Sequence, residues 1–146
     1  MALESNCGAL ERRVRELIWE IGVPNSQPTR SEKWDGKQIQ LLKVLEGLGR
    51  PAVPFIIKHM DDRRLLPYEY MKLDNDDPNA FEAFRQYNPL RVVDALAGIL
   101  NQLTGANFGM IYRRGWTQSE EARDQAVAGW QRFLKDNQDS FSCKVE

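Results

Sequence analysis

Apolar residues recur along this chain with the helical period. Leu10, Val14, Leu17, Ile18 and Ile21 share one face, while Glu11, Arg12, Arg13, Arg15, Glu16 and Glu20 fill the others. This spacing predicts a first amphipathic helix from about Leu3 to Ile21, stopped by Gly22 with Pro24 just beyond. The run from Pro24 to Ser31 has the composition of a loop. Ile39, Leu42, Leu45 and Leu48 then mark a second helix, capped by Asp35 or Ser31. Leu41 and Val44 widen its stripe until two sides are covered. Gly49 suits the position just past a helix end, and Pro51 suits the first turn of the next helix, where its missing N–H costs nothing. Val53, Ile56, Ile57 and Met60 give that third helix, about Pro51 to Met60, one apolar face. Pro54 sits at the tail of its first turn.

Between Asp61 and Asn88 the period changes. Leu65 to Lys72 alternates, with Tyr68 and Tyr70 on one side, and predicts a short extended piece. Asp74-Asn75-Asp76-Asp77-Pro78 reads as a turn followed by a cap and a first-turn proline, and Phe81 and Phe84 fit a short helix after it. Asn88-Pro89 repeats the cap-then-proline signal. It precedes the most apolar helix of the chain, built on Val92, Val93, Leu96, Leu100 and Leu103, with Ala95, Ala97 and Ile99 also apolar. A helix apolar all round belongs in the middle of a fold. Thr104-Gly105 ends it. Phe108 to Tyr112 is a second extended candidate, able to pair with Tyr68–Lys72. Thr117 with Glu120 forms a capping box, and Ala122, Ala126, Trp130, Phe133 and Leu134 stripe a last helix ending near Asp136. Trp19 and Trp130 are expected in or near the core. Trp34 either packs down on the bundle or stands as an anchor. The polar tail from about 137 is expected to fray. The pattern is thus mainly α: a compact helical bundle of about five helices with a short extended insertion, in a single helical domain over 1–146.

With 146 residues, 42% of them apolar and 28% charged, the chain can bury a core without metal or disulfide. Its net charge of −1 supplies no global field for nucleic acid. No apolar run approaches a membrane span, and the first residues lack the basic and apolar regions of a signal peptide, so the expected place is the cytoplasm. Cys7 and Cys143 lie near opposite ends. A disulfide between them is geometrically conceivable, and two reduced thiols are the preferred reading from compartment logic. Two cysteines and one histidine cannot build a four-ligand zinc site of the common kind.

The residues Gly49, Pro51-Ala52-Val53-Pro54, the stripe after them, and Asp61-Asp62 with Arg63 or Arg64 resemble a HEAT-type helical repeat. In such repeats an inter-helix turn, a second helix and a stacking Asp/Arg pair occur in this order. The likeness covers about one repeat, Lys37 to Arg64, after which the Tyr-rich insertion replaces the next repeat. A solenoid needs three or more units, so the resemblance implies a HEAT-like hairpin within the bundle. It also implies a protein-binding scaffold, since such proteins work through surfaces.

No arrangement of residues here reads as a catalytic apparatus. His59 has no nucleophile motif beside it and falls at a helix end, where an imidazolium suits the dipole. An EF-hand begun at Asp74 would need Gly and Glu where the chain has Asn79 and Arg85. Gly47-x-Gly49 lacks the rest of a phosphate loop. The helical carboxylates, Glu11 to Glu20 and Glu120-Glu121, read as solvated surface. No cofactor and no metal are expected. What remains is an aromatic–basic set: Arg63, Arg64, Tyr68, Tyr70, Tyr112, Arg113, Arg114 and Trp116. Tyr, Trp and Arg are the residues of protein hot spots, and the low net charge favours a protein partner over nucleic acid. The expectation is therefore a non-enzymatic protein-binding module, such as a bacterial immunity protein that neutralises a toxin by covering it. The alternatives are a small metal-assisted enzyme using the acidic stretch 61–77 and a nucleic-acid binder through the Arg doublets. Packing of the aromatics under the loops, with the arginines capping helix ends, is the purely structural alternative.

Overall fold

The computed structural model describes residues 2–22, 35–66, 71–74, 84–87, 89–108 and 119–144. Among the described residues five α-helices make the bundle: α1 (Ala2–Ile21), α2 (Asp35–Gly47), α3 (Val53–Lys58), α4 (Val92–Thr104) and α5 (Glu120–Asn137). Between α3 and α4 lies a small antiparallel pair, β1 (Met71–Asp74) and β2 (Phe84–Tyr87), in which Met71 faces Tyr87 and Asp74 faces Phe84. Among the described residues, no helix is long and apolar enough to cross a membrane.

The stripe on α1 packs as its period requires. Val14, Leu17, Ile18 and Ile21 are buried, and Leu10 packs at the edge of the core. Trp19 corrects the sequence expectation. It is 68% exposed, because it falls on the side of α1 roughly opposite that stripe. On α2, Leu42 and Leu45 are buried while Leu41 and Val44, with Leu48 just past the helix end, pack around them, and the helix lies against both α1 and β1.

The α2–α3 turn begins at Gly49, whose φ of +76° is open to glycine and strained for other residues. A 3-10 turn over Arg50–Ala52 carries Pro51, so the α-helix proper starts later, at Val53, with Pro54 in its first turn. All of Val53 to Ile57 is buried, and α3 packs against α1, α4 and α5. α4 shares the centre: every residue from Val92 to Leu100 is buried. It ends on Gly105 at φ +78°, whose N–H bonds to the Asn101 carbonyl.

Three expectations change at the element ends. The short helix expected around Phe81 and Phe84 is replaced from Phe84 by strand β2, which pairs with β1; residues 109–112, expected to pair with Tyr68–Lys72, lie outside the described residues. The three-residue spacing of the two phenylalanines matched a helical period, but a four-residue strand partner satisfies the backbone instead. The N-cap of α4 is Arg91, not Asn88, because the Asp94 carboxylate accepts from the N–H groups of Leu90 and Arg91. The cap of α5 is Ser119, whose hydroxyl accepts from the Ala122 N–H, so Glu120 is free for other contacts. The expected turn and cap at 75–78, the loop at 24–31, Trp34 and Thr117 lie outside the described residues.

The tail is not frayed through 144. A 3-10 turn over Gln138–Ser140 leads Phe141 and Cys143 into the core, each 6% exposed. Phe141 lies against Phe133 and beneath the Arg50 guanidinium, 5.2 Å from its ring centroid. Cys7 and Cys143 are joined in a disulfide, which decides the pairing left open by the sequence and overturns the preference for free thiols. It ties the first turns of α1 to the chain's other end, across a sequence separation of 136 residues.

Candidate functional site

Between Leu66 and Leu90 the chain carries the β1–β2 pair, with β1 packed against α2 and α4, and the two ends of this insertion are joined. The Leu66 N–H donates to the Leu90 carbonyl, Val92 donates to Arg64, and Val93 donates to Asp62, with Leu65 bridged to Arg91. The Tyr-rich insertion therefore springs from a closed base. Leu66 is fully buried and anchors that base in the core.

Charged side chains lock this base to three helices. Asp94 and Arg123 form its buried part. Arg123 donates through Nε to Oδ1 of Asp94 at 2.8 Å and through Nη2 to Oδ2 at 3.0 Å, with side-chain exposures of 3% and 0%. The carboxylate also takes the two N–H groups at the start of α4, so four donors converge on it. Such satisfaction is what makes a buried pair tolerable, since desolvation alone would destabilise it by several kcal/mol per ion, about what a poor geometry fails to return. Asp94 raises the affinity of Arg123 for its proton, against burial, and Glu120 adds to this through Nη1 at 2.7 Å.

Arg63 extends the network outward. It binds Asp61, Glu120 at 2.7 Å and Asp124 at 2.8 Å. Burial works against its charge, but the hydrogen bonds it donates to Asp61, Asp124 and Glu120 more than offset that and hold it firmly protonated. Glu120 in turn stays ionised below the usual carboxylate range because Arg63, then Arg123, bonds to it. Arg91 closes the ring by donating to the Arg63 carbonyl at 2.7 Å.

Arg64 faces the other way, to α1. Its guanidinium is held by Asp62 and donates to the carbonyls of Trp19 and Ile18 at 3.0 and 3.1 Å, the unsatisfied groups at that helix's C-terminal end. It also lies over the Trp19 ring, 4.4 Å from the centroid. Gly22 makes room for this: a Cβ there would meet Arg64 Cζ at 2.8 Å and Val92 Cγ2 at 2.9 Å.

Of the aromatic–basic set, then, Arg63 and Arg64 lie at the base of the insertion, engaged with Asp61, Asp62, Glu120, Asp124 and the end of α1. Tyr68, Tyr70, Tyr112, Arg113, Arg114 and Trp116 lie outside the described residues. Sequence reasoning missed Asp94, Arg123, Glu120 and Asp124 as members of the cluster. Only Asp94 carried a local signal, an acid at the third position of a helix.

His59 ends α3 beside Glu11, its Nε2 3.6 Å from Glu11 Oε1 and without a hydrogen-bond partner. Burial lowers its pKa, and the nearby charges of Lys58 and Arg15 act in the same direction. Lys58 is bonded to the same carboxylate and holds Glu11 ionised. Among the described residues, no group of three or more His, Cys, Asp or Glu side chains is placed to hold a metal ion.

Comparison with protein-family models, curated proteins and solved structures found no match to this chain.

Proposed function

We propose that this chain is a protein-binding module that acts without catalysis, with the insertion between Leu66 and Leu90 as its working element. The observation that carries this reading is the closed and ion-locked base of that insertion. Binding residues are favoured on loops that a rigid frame positions. A loop held at both ends also loses less freedom when it docks. In this reading Arg63 and Arg64 hold the frame, while Tyr68 and Tyr70, with Tyr112, Arg113, Arg114 and Trp116, meet the partner. The HEAT-like character of Lys37 to Arg64 supports the same scaffold role.

A bacterial immunity protein, which neutralises a toxin by covering it, is the biological role that suits such a module. The Cys7–Cys143 disulfide favours an oxidising compartment as its workplace over the cytoplasm expected from sequence. The test is capture from native lysate by the tagged full chain at moderate salt, read by mass spectrometry. One protein in stoichiometric amount, lost with the Tyr68→Ala/Tyr70→Ala variant, supports the reading. Stoichiometric capture of nothing, from lysates of the native source grown under varied conditions, overturns it.

A further inference from the structure

One side of α1 is exposed from Gly8 to Glu20. Gly8, Ala9, Arg12, Glu16, Trp19 and Glu20 are all exposed and succeed one another along that side at helical spacing. Trp19 is the one large apolar side chain that is exposed among the described residues, at 68%. Arg64 covers one face of its ring. At the other end of the row Gly8 has open space above it, with nothing within 4 Å of where a Cβ would stand. Between them Arg12 and Glu16 make no ion pair with another described residue, unlike Glu11, which binds Lys58.

These features complement each other under a two-fold axis. When α1 meets a second α1 antiparallel, with the axis passing near residue 14, positions whose numbers add to about 28 come level. Arg12 then faces Glu16 of the second copy, and Glu16 faces its Arg12. Trp19 lies over Gly8 and Ala9 of the second copy, where small side chains leave space for a ring. An isologous interface needs this kind of self-complementarity: here Trp19 stands opposite the small residues and Arg12 opposite Glu16. We infer that α1 is a homodimer interface, with Trp19 as its apolar anchor and two symmetric Arg12–Glu16 ion pairs as its register. A single helix pair buries less than the roughly 1,200 Å² at which stable interfaces begin, so the dimer is a weak one that depends on protein concentration. This interface is separate from the insertion and does not depend on the proposed function.

Sedimentation velocity of the full chain, over a concentration series from low micromolar to high, reads the inference directly. The wild-type protein shifts from monomer to dimer. Trp19→Ala weakens the dimer, and because the side chain is exposed the fold is retained, as circular dichroism will show. Arg12→Glu and Glu16→Arg each set like charges against each other twice and weaken self-association about tenfold or more. Mixed together, the two charge variants pair with each other, because Arg12→Glu chains and Glu16→Arg chains complement at both contacts. A wild-type chain that stays monomeric throughout overturns the inference, as do charge variants that self-associate undiminished or fail to pair when mixed. Dimer formation with an acidic protein or with nucleic acid in place of a second copy also overturns it.

Discussion

Arg123 on α5 grips Asp94 on α4 with two hydrogen bonds, at 2.8 and 3.0 Å, where neither side chain meets solvent appreciably. The pair joins the two helices that flank the base of the insertion. As the buried part of the ionic network it should dominate the electrostatics of the fold, because exposed ion pairs contribute only about 0–1 kcal/mol each.

Removing one partner leaves the other charged and buried. Asp94→Ala or Arg123→Ala should each destabilise the protein by about 3–5 kcal/mol, read from urea unfolding. Asp94→Leu with Arg123→Met, which removes both charges, should cost clearly less than the two single changes together. Additive losses would show that the pair does not act as a unit.

Gly129 offers a second, purely steric test. A Cβ there would stand 2.6–2.8 Å from three atoms of Phe108, whose ring packs edge-on against Trp130 with centroids 4.8 Å apart. Gly129→Ala should displace Phe108 and destabilise by about 1–3 kcal/mol, with altered fluorescence from the buried Trp130. Gly8→Ala, in open space, should leave monomer stability unchanged or raise it slightly.

The disulfide closes nearly the whole chain. Reduction, or Cys7→Ser with Cys143→Ser, should lower stability by about 2–5 kcal/mol and release the tail around Phe141 to hydrogen exchange. A tail that stays protected after reduction would show that the packing of Phe141 suffices to hold it.

Acidification should destabilise the fold in two steps. His59 has a folded pKa below its ordinary value of 6.5, through burial first. Its contribution is therefore complete above about pH 6.5 and fades as pH falls through the lower folded value. Glu11, held ionised chiefly by Lys58, contributes above the ordinary carboxylate value of 4.5 and loses that contribution below it. Melting temperature should decline from near pH 6.5 downward, and His59→Gln should flatten the first part of that decline. An unchanged profile in the variant would assign the loss to other groups.

Much of this architecture was legible in the chain because it is local. The stripe of Val14, Leu17, Ile18 and Ile21 needs only its own period to find the core, and so does the all-apolar run of α4. Trp19 was legible too. Counting its position on the wheel places it opposite Ile21 and Val14, and only the habit of burying tryptophan argued otherwise. Strand β2 was hidden, since its pairing with β1 depends on a partner ten or more residues away while Phe81 and Phe84 carry a helical spacing. The ionic base was hidden for the same reason. Arg123 reads as one of many polar residues on α5 until Asp94, 29 residues away, is folded against it. Arg63 and Arg64 looked like a surface doublet because sequence does not show that one turns to α5 and the other to α1.

The proposed function divides the labour: the arginines would hold the frame and the tyrosines of the insertion would bind. The most direct measurement is the affinity of a captured partner for two variants, each paired with its melting temperature. Tyr68→Ala/Tyr70→Ala should lose affinity about tenfold or more, as truncated hot spots do, with melting unchanged. Arg63→Gln should melt lower yet bind normally at a temperature where it is folded. Normal binding by the tyrosine variant, or an Arg63→Gln protein of native stability that no longer binds, would contradict the account.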